Sequence, residues 1–149
     1  MHGFFAVNYI FASSFLAWVV AQICKMVIYF YQTKKLRLER LFGAGGMPSA
    51  HSALVCSMVM ALARKEGVRS SIFALGFVIA LIVMYDAMGV RRYAGEQAKV
   101  LNKMLAEWWD EEKRPEKEEK LQEFVGHTPL EVLSGALVGI LVAMLVPIF

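Results

Sequence analysis

Two histidines, a pair of arginines and several lone charges stand where apolar stretches end, and each asks for a chemical explanation. His51 lies in GGMPSAHS at residues 45–52. Glycines let the backbone approach an anion closely, and a helix that begins at Pro48 or Ser49 offers free N–H groups and a positive dipole end to a phosphate. An ordinary helix start with Ser49 as its cap accounts for the serine and the proline, but not for a histidine beside a run of glycines. His127 lies in GHTPLE at residues 126–131. There Thr128 as N-cap, Pro129 at N1 and Glu131 at N3 make a capping box. Capping makes no demand on His127, whereas a carboxylate four positions later can hold an imidazole in one tautomer. The two roles of Glu131 compete for the same oxygens.

The third pattern is Asp86 followed by Arg91 and Arg92. Guanidinium groups at a helix boundary suit phosphate binding, and they also serve as topology determinants. Lys25, Asp86 and Glu131 fall inside or at the edge of apolar segments, where an ionisable group is costly unless paired or facing water. The plainer alternatives are that Lys25 snorkels toward the basic residues two turns further on and that Asp86 pairs with Arg91 or Arg92.

The elements that must position these groups are membrane helices. Hydrophobic residues make up 58% of the 149 residues and the mean hydropathy is +0.50, more than a soluble domain of one core can bury. The pattern predicts an all-α, polytopic membrane bundle of about four to five helices, forming one domain over residues 1–149. Spans are expected at about 4–31, 48–63, 71–90 and 131–149, each near the length that crosses ~30 Å of hydrocarbon. The second is short and also fits a re-entrant helix. No Lys or Arg precedes Phe4, so the first stretch reads as an anchor rather than a signal peptide.

Residues 91–126 form a loop with eight basic and nine acidic residues. It is partly helical, because Ala94, Ala98, Leu101, Met104, Leu105 and Trp108 follow a 3.6 period. Trp108 and Trp109 suit a membrane surface, and the acidic stretch 110–119 reads as a solvated hairpin tip. With four crossings, residues 32–47 and 91–126 share one side and carry twelve of the sixteen Lys and Arg. The positive-inside rule places them in the cytoplasm. Lys35, His51, Arg91, Arg92 and His127 then meet at the cytoplasmic face. Nucleic acid is excluded as a partner because the charge of +3 is scattered among loops. Cys24 and Cys56 lie in apolar segments without paired spacing, so neither a disulfide nor a metal site is expected.

Together, GGMPSAHSA, DAMGVRRYAGEQAKVLN and GHTPLEV resemble the divergent branch of the type 2 phosphatidic acid phosphatases, relatives of the vanadium haloperoxidases. The resemblance spans residues 22 to about 139. It implies that His127 is the nucleophile that forms a phosphohistidine, that Glu131 orients it, and that His51 protonates the leaving oxygen. It implies further that Arg91 or Arg92 cradles the phosphoryl group and that Lys25 or Lys35 stands in for the first-block lysine. Ser49 and its neighbouring N–H groups would join the phosphate cradle. Ala50 replaces the family's glycine, Glu131 its aspartate, and no K-x6-R-P block is present.

The expected activity is metal-independent and cofactor-free hydrolysis of a membrane lipid phosphomonoester, with phosphatidylglycerophosphate or phosphatidate as first choice. An undecaprenyl pyrophosphate phosphatase and a non-catalytic anion-binding membrane protein or transporter are the alternatives. The small number of helices is compatible with a homodimer.

Overall fold

The computed structural model describes residues 8–34, 46–108, 121, 123 and 126–148. Five helices follow one another: α1 (Tyr9–Thr33), α2 (Ala50–Glu66), α3 (Ser71–Met88), α4 (Val90–Trp108) and α5 (Pro129–Leu145). No strand occurs among the described residues. Four of the five starts have a local cause. The Asn8 side chain accepts from the Ile10 N–H at 2.9 Å, Ser49 and Ser70 cap α2 and α3, and Thr128 with Glu131 completes a capping box on α5. The ends are equally local. Lys34 closes α1 in the left-handed region at φ 54°, and Gly67 ends α2 at φ 82°.

Helix α2 is the hub, packed against α1, α3 and α5. It runs antiparallel to α1, since Tyr9 meets Arg64, and Ser13 meets Ser57 at 3.1 Å. It runs parallel to α5, whose Gly135 and Gly139 lie against the backbone of Ser49 and Ala53. At the far end Arg64 donates to the Tyr9 hydroxyl and to the carbonyls of Ala143 and Val146, satisfying the last turn of α5.

The packing inverts that of a soluble protein. Most of the buried residues are small, among them Ala17, Ala21, Ala53, Ala61, Ser13, Ser52, Ser57 and Ala143, with Tyr9 the large exception. The large apolar side chains point outward, among them Phe11, Phe15, Leu75, Leu81, Ile82 and Leu141. Small residues let helices approach closely where lipid removes any hydrophobic drive between them. Helix α3 buries little more than Gly76, Ala80 and Ala87. At 1.5 Å per residue α1 is about 37 Å long and α3 about 27 Å, against ~30 Å of hydrocarbon. Both α1 and the helical run beginning at Ser71 are long and apolar enough to cross a bilayer.

The helices depart from the expected boundaries by a few residues. Helix α2 starts at Ala50 rather than Pro48 and continues to Glu66. Helix α5 begins two residues early, at its capping box. The helical part of 91–126 begins at Val90, directly after the break at Gly89. The stretch 110–119 and Trp109 lie outside the described residues, as do residues 4–7.

Candidate active site

The two motif-bearing helix starts lie side by side. The Ser49 N–H donates to the Glu131 carbonyl at 3.0 Å, stitching the first turn of α2 to that of α5. His127 stands just before the α5 cap, and its own N–H donates to the Ala87 carbonyl near the end of α3 at 3.0 Å. Its ring is only 6% exposed. Nδ1 lies 3.2 Å from Glu131 Oε2, and the same oxygen accepts the Thr128 N–H at 2.9 Å. One carboxylate oxygen therefore caps the helix and orients the imidazole. A carboxylate only accepts, so Nδ1 carries the proton and Nε2 is left with its lone pair.

His51 is on the first turn of α2, at the same end of the bundle, and is exposed. The charge of Lys25 acts on both rings, and at His127 that of Glu131 opposes it. Burial pushes the His127 pKa down; the hydrogen bond it donates to Glu131 and the charge of that carboxylate push it up, and Lys25 and His51 add to the downward shift. Lys25 and Arg91 are the cations whose charge acts on His51. Lys25 is 7% exposed on α1. Its alkyl chain runs beneath Gly46, where an added methyl would sit 3.6 Å from Cγ and Cδ. The lysine thus reaches the site rather than snorkelling away along the loop.

The arginines divide. Arg91 Nε bonds the exposed Asp86 Oδ2 at 2.7 Å. Arg92 borders, with His127, a cavity of about 320 Å³ that also touches Gly95, Glu96, Lys99 and Glu123. Its Nε lies 3.4 Å from Glu96 Oε1. Glu96, Lys99 and Glu123 were not singled out from the sequence, although Arg92, Gly95, Glu96 and Lys99 recur at helical spacing. Glu123 is fixed by Asn102 Nδ2 at 2.9 Å, a contact across 21 residues that no local pattern announces.

One expected site residue is corrected. Ser49 is fully buried. Its N–H is taken by Glu131, and its hydroxyl oxygen accepts from the Ser52 hydroxyl at 3.0 Å and the Ser52 N–H at 3.4 Å. Ser49 is the cap of α2, with no exposure and with its N–H already spent on Glu131. Lys35 lies outside the described residues. Among the described residues no three or more His, Cys, Asp or Glu are grouped so that they could hold a metal ion.

The model of the Divergent PAP2 family matches residues 6–142, a stretch that holds both histidines, Glu131 and both arginines. The chain belongs to that family. It is also 39% identical over 151 residues to the "Uncharacterized membrane protein YuiD" of Bacillus subtilis (strain 168), covering 95% of this chain and 96% of the relative. No solved structure matches. The chain is thus a membrane protein of the PAP2 type.

In this Divergent PAP2 chain Gly126 sets the distance between His127 and α4. It adopts φ +100°, and a Cβ there would stand 2.5 Å from Arg92 N and 2.7 Å from Arg92 Cα. Gly126→Ala is expected to destabilise the protein by about 1–3 kcal/mol and to displace Arg92 from the cavity. Thermal unfolding in detergent should show the first effect.

Proposed function

We propose that the protein is a membrane lipid phosphate phosphatase that hydrolyses a phosphomonoester through a phosphohistidine on His127. The observation that carries this reading is the Nδ1–Glu131 hydrogen bond. It fixes a neutral imidazole with a free Nε2 in a cavity that Arg92 and Lys99 also line. Nε2 attacks phosphorus in line. The bond from phosphorus to the lipid oxygen breaks, and its electron pair takes a proton from the His51 imidazolium. Water then attacks the phosphohistidine, His51 accepts the water proton, and the P–N pair returns to Nε2. The exposure of His51 gives it the proton exchange with water that both halves need.

Lys25 and Arg92 neutralise the phosphoryl oxygens, and Arg91 adds to the field at His51. Four crossings, by α1, α2, α3 and α5, put this end of the bundle at the cytoplasmic face under the positive-inside rule. Lipids made on that leaflet, phosphatidylglycerophosphate or phosphatidate, are the preferred substrates. Their acyl chains lie along the outward apolar surface.

The test is phosphate release by purified protein from a panel of phosphatidylglycerophosphate, phosphatidate and undecaprenyl pyrophosphate. Turnover of a monoester is expected. Binding of the lipids with no release from any of them overturns the proposal. With the phosphate met by side-chain cations, EDTA is expected to leave turnover unchanged.

The pH profile follows from the direction of the His127 shift. The nucleophile works unprotonated, so kcat/KM rises with pH through the His127 value. Burial places that limb below the ordinary 6.5. A limb centred above 6.5 excludes His127 as the group that titrates.

A further inference from the structure

Helix α4 has a face that the site does not use. At 100° per residue, the six large apolar residues Val90, Tyr93, Leu101, Met104, Leu105 and Trp108 fall within about 120° of arc, which also holds Ala94 and one polar residue, Gln97. All six are exposed, Trp108 the most at 87% and Leu105 the least at 39%. Arg92, Glu96, Lys99 and Lys103 occupy about 60° on the opposite side, and the first three line the His127 cavity. The buried residues between the faces are Gly95 and Ala98. Thus the polar side of α4 walls the site, while its apolar side meets no other described residue closely enough to be covered.

We infer that the apolar stripe of α4 docks on the surface of an anionic lipid leaflet, so that one helix separates the bilayer from the cavity. Two observations select lipid. The outward side of α3, long and apolar enough to cross a bilayer with the run that follows it, exposes Ile82 and Tyr85. Beyond Gly89 apolar exposure resumes at Val90 and Tyr93, on either side of Arg91 and Arg92. Charge is the second. Helix α4 carries Arg91, Arg92, Lys99 and Lys103 against Glu96 and Glu107, four cations less two anions, or +2. That sign favours anionic headgroups and disfavours a second copy of the same helix. A large apolar face, a charged opposite face and aromatic residues at the stripe's ends describe a helix that lies about 5–10 Å deep in the headgroup boundary. In that position Trp108 and Tyr93 anchor the wall that carries Arg92.

The test uses full-length protein in phosphatidylglycerol nanodiscs, on a Cys24→Ala/Cys56→Ala background. Single nitroxide labels are placed through Leu101→Cys, Met104→Cys, Lys99→Cys and Lys103→Cys. Collision with oxygen should exceed collision with a water-soluble nickel chelate at Leu101 and Met104, and the order should reverse at Lys99 and Lys103. Chelate-dominated relaxation at all four positions overturns the inference by showing a water-exposed stripe. Spin–spin broadening at Leu101 and Met104 that disappears on dilution with unlabelled protein overturns it by showing a second copy. Neither readout needs turnover, so this inference stands or falls apart from the phosphatase proposal.

Discussion

His127→Ala is expected to remove phosphate release and phosphoenzyme formation together, by about 10⁴-fold or more, because no other described group combines a fixed tautomer with a free ring nitrogen. The fold should survive. The contact that His127 makes with Ala87 runs through its backbone N–H, and Glu131 keeps the Thr128 N–H as a partner. His51→Ala should behave differently. With a natural alcohol leaving group it should cost about 10²–10⁴-fold, the usual worth of a general acid. With an activated aryl phosphate, whose leaving oxygen needs no proton, the first half-reaction should be largely spared, and phosphohistidine should accumulate because the water lacks its base. Quenching with labelled substrate and following acid-labile phosphate on the protein separates the two variants. A phosphoenzyme formed by the His127→Ala protein would remove His127 from the role.

How much of this was legible in the sequence depends on how far each signal reaches along the chain. Capping is decided within four residues, and the box at Thr128, Pro129 and Glu131 forms as its spelling dictates. The competition for Glu131 was visible too, but its outcome was not. That one oxygen could serve both the Thr128 N–H and the His127 ring depends on an angle between cap and side chain that a sequence does not state. The same locality misled at Ser49, where the plainer reading as a cap prevailed once Glu131 of another helix occupied its N–H. Pairing of Asp86 fell to Arg91 rather than Arg92, because the packing of Gly126 on Arg92 holds that residue toward the cavity. Apolar runs showed the helices as single elements. They said nothing of α2 as the hub, which follows from its small residues meeting glycines on α5, nor of Glu123 reaching the site through Asn102. The spacing Gly135-x3-Gly139 within an apolar helix was the available sign of that close approach.

That approach yields the second large effect. A methyl group on Gly135 would overlap the Ser49 carbonyl, and one on Gly139 would overlap that of Ala53. Neither neighbour is a flexible side chain that could swing aside, so α5 itself must move off α2. Each Gly→Ala change is expected to cost about 1–3 kcal/mol of stability from overpacking. Their effects on catalysis should diverge. Gly135 lies one turn beyond Glu131, whose carbonyl holds the Ser49 N–H and whose carboxylate holds His127. Displacing α5 there shifts the nucleophile relative to His51 and Lys25, and a misplacement near 1 Å is worth about 10²-fold in rate. Gly139 is about 6 Å further along the helix axis, where α5 can tilt away while its first turn stays stitched to Ser49. Gly135→Ala should therefore lose about 10²-fold in kcat/KM, and Gly139→Ala well under tenfold, at matched losses in thermal stability. Equal activity losses would mean that the glycines serve packing alone. Full activity in Gly135→Ala would show that the imidazoles do not depend on the α2–α5 contact for their spacing, and the geometry proposed for phosphoryl transfer would have to be abandoned.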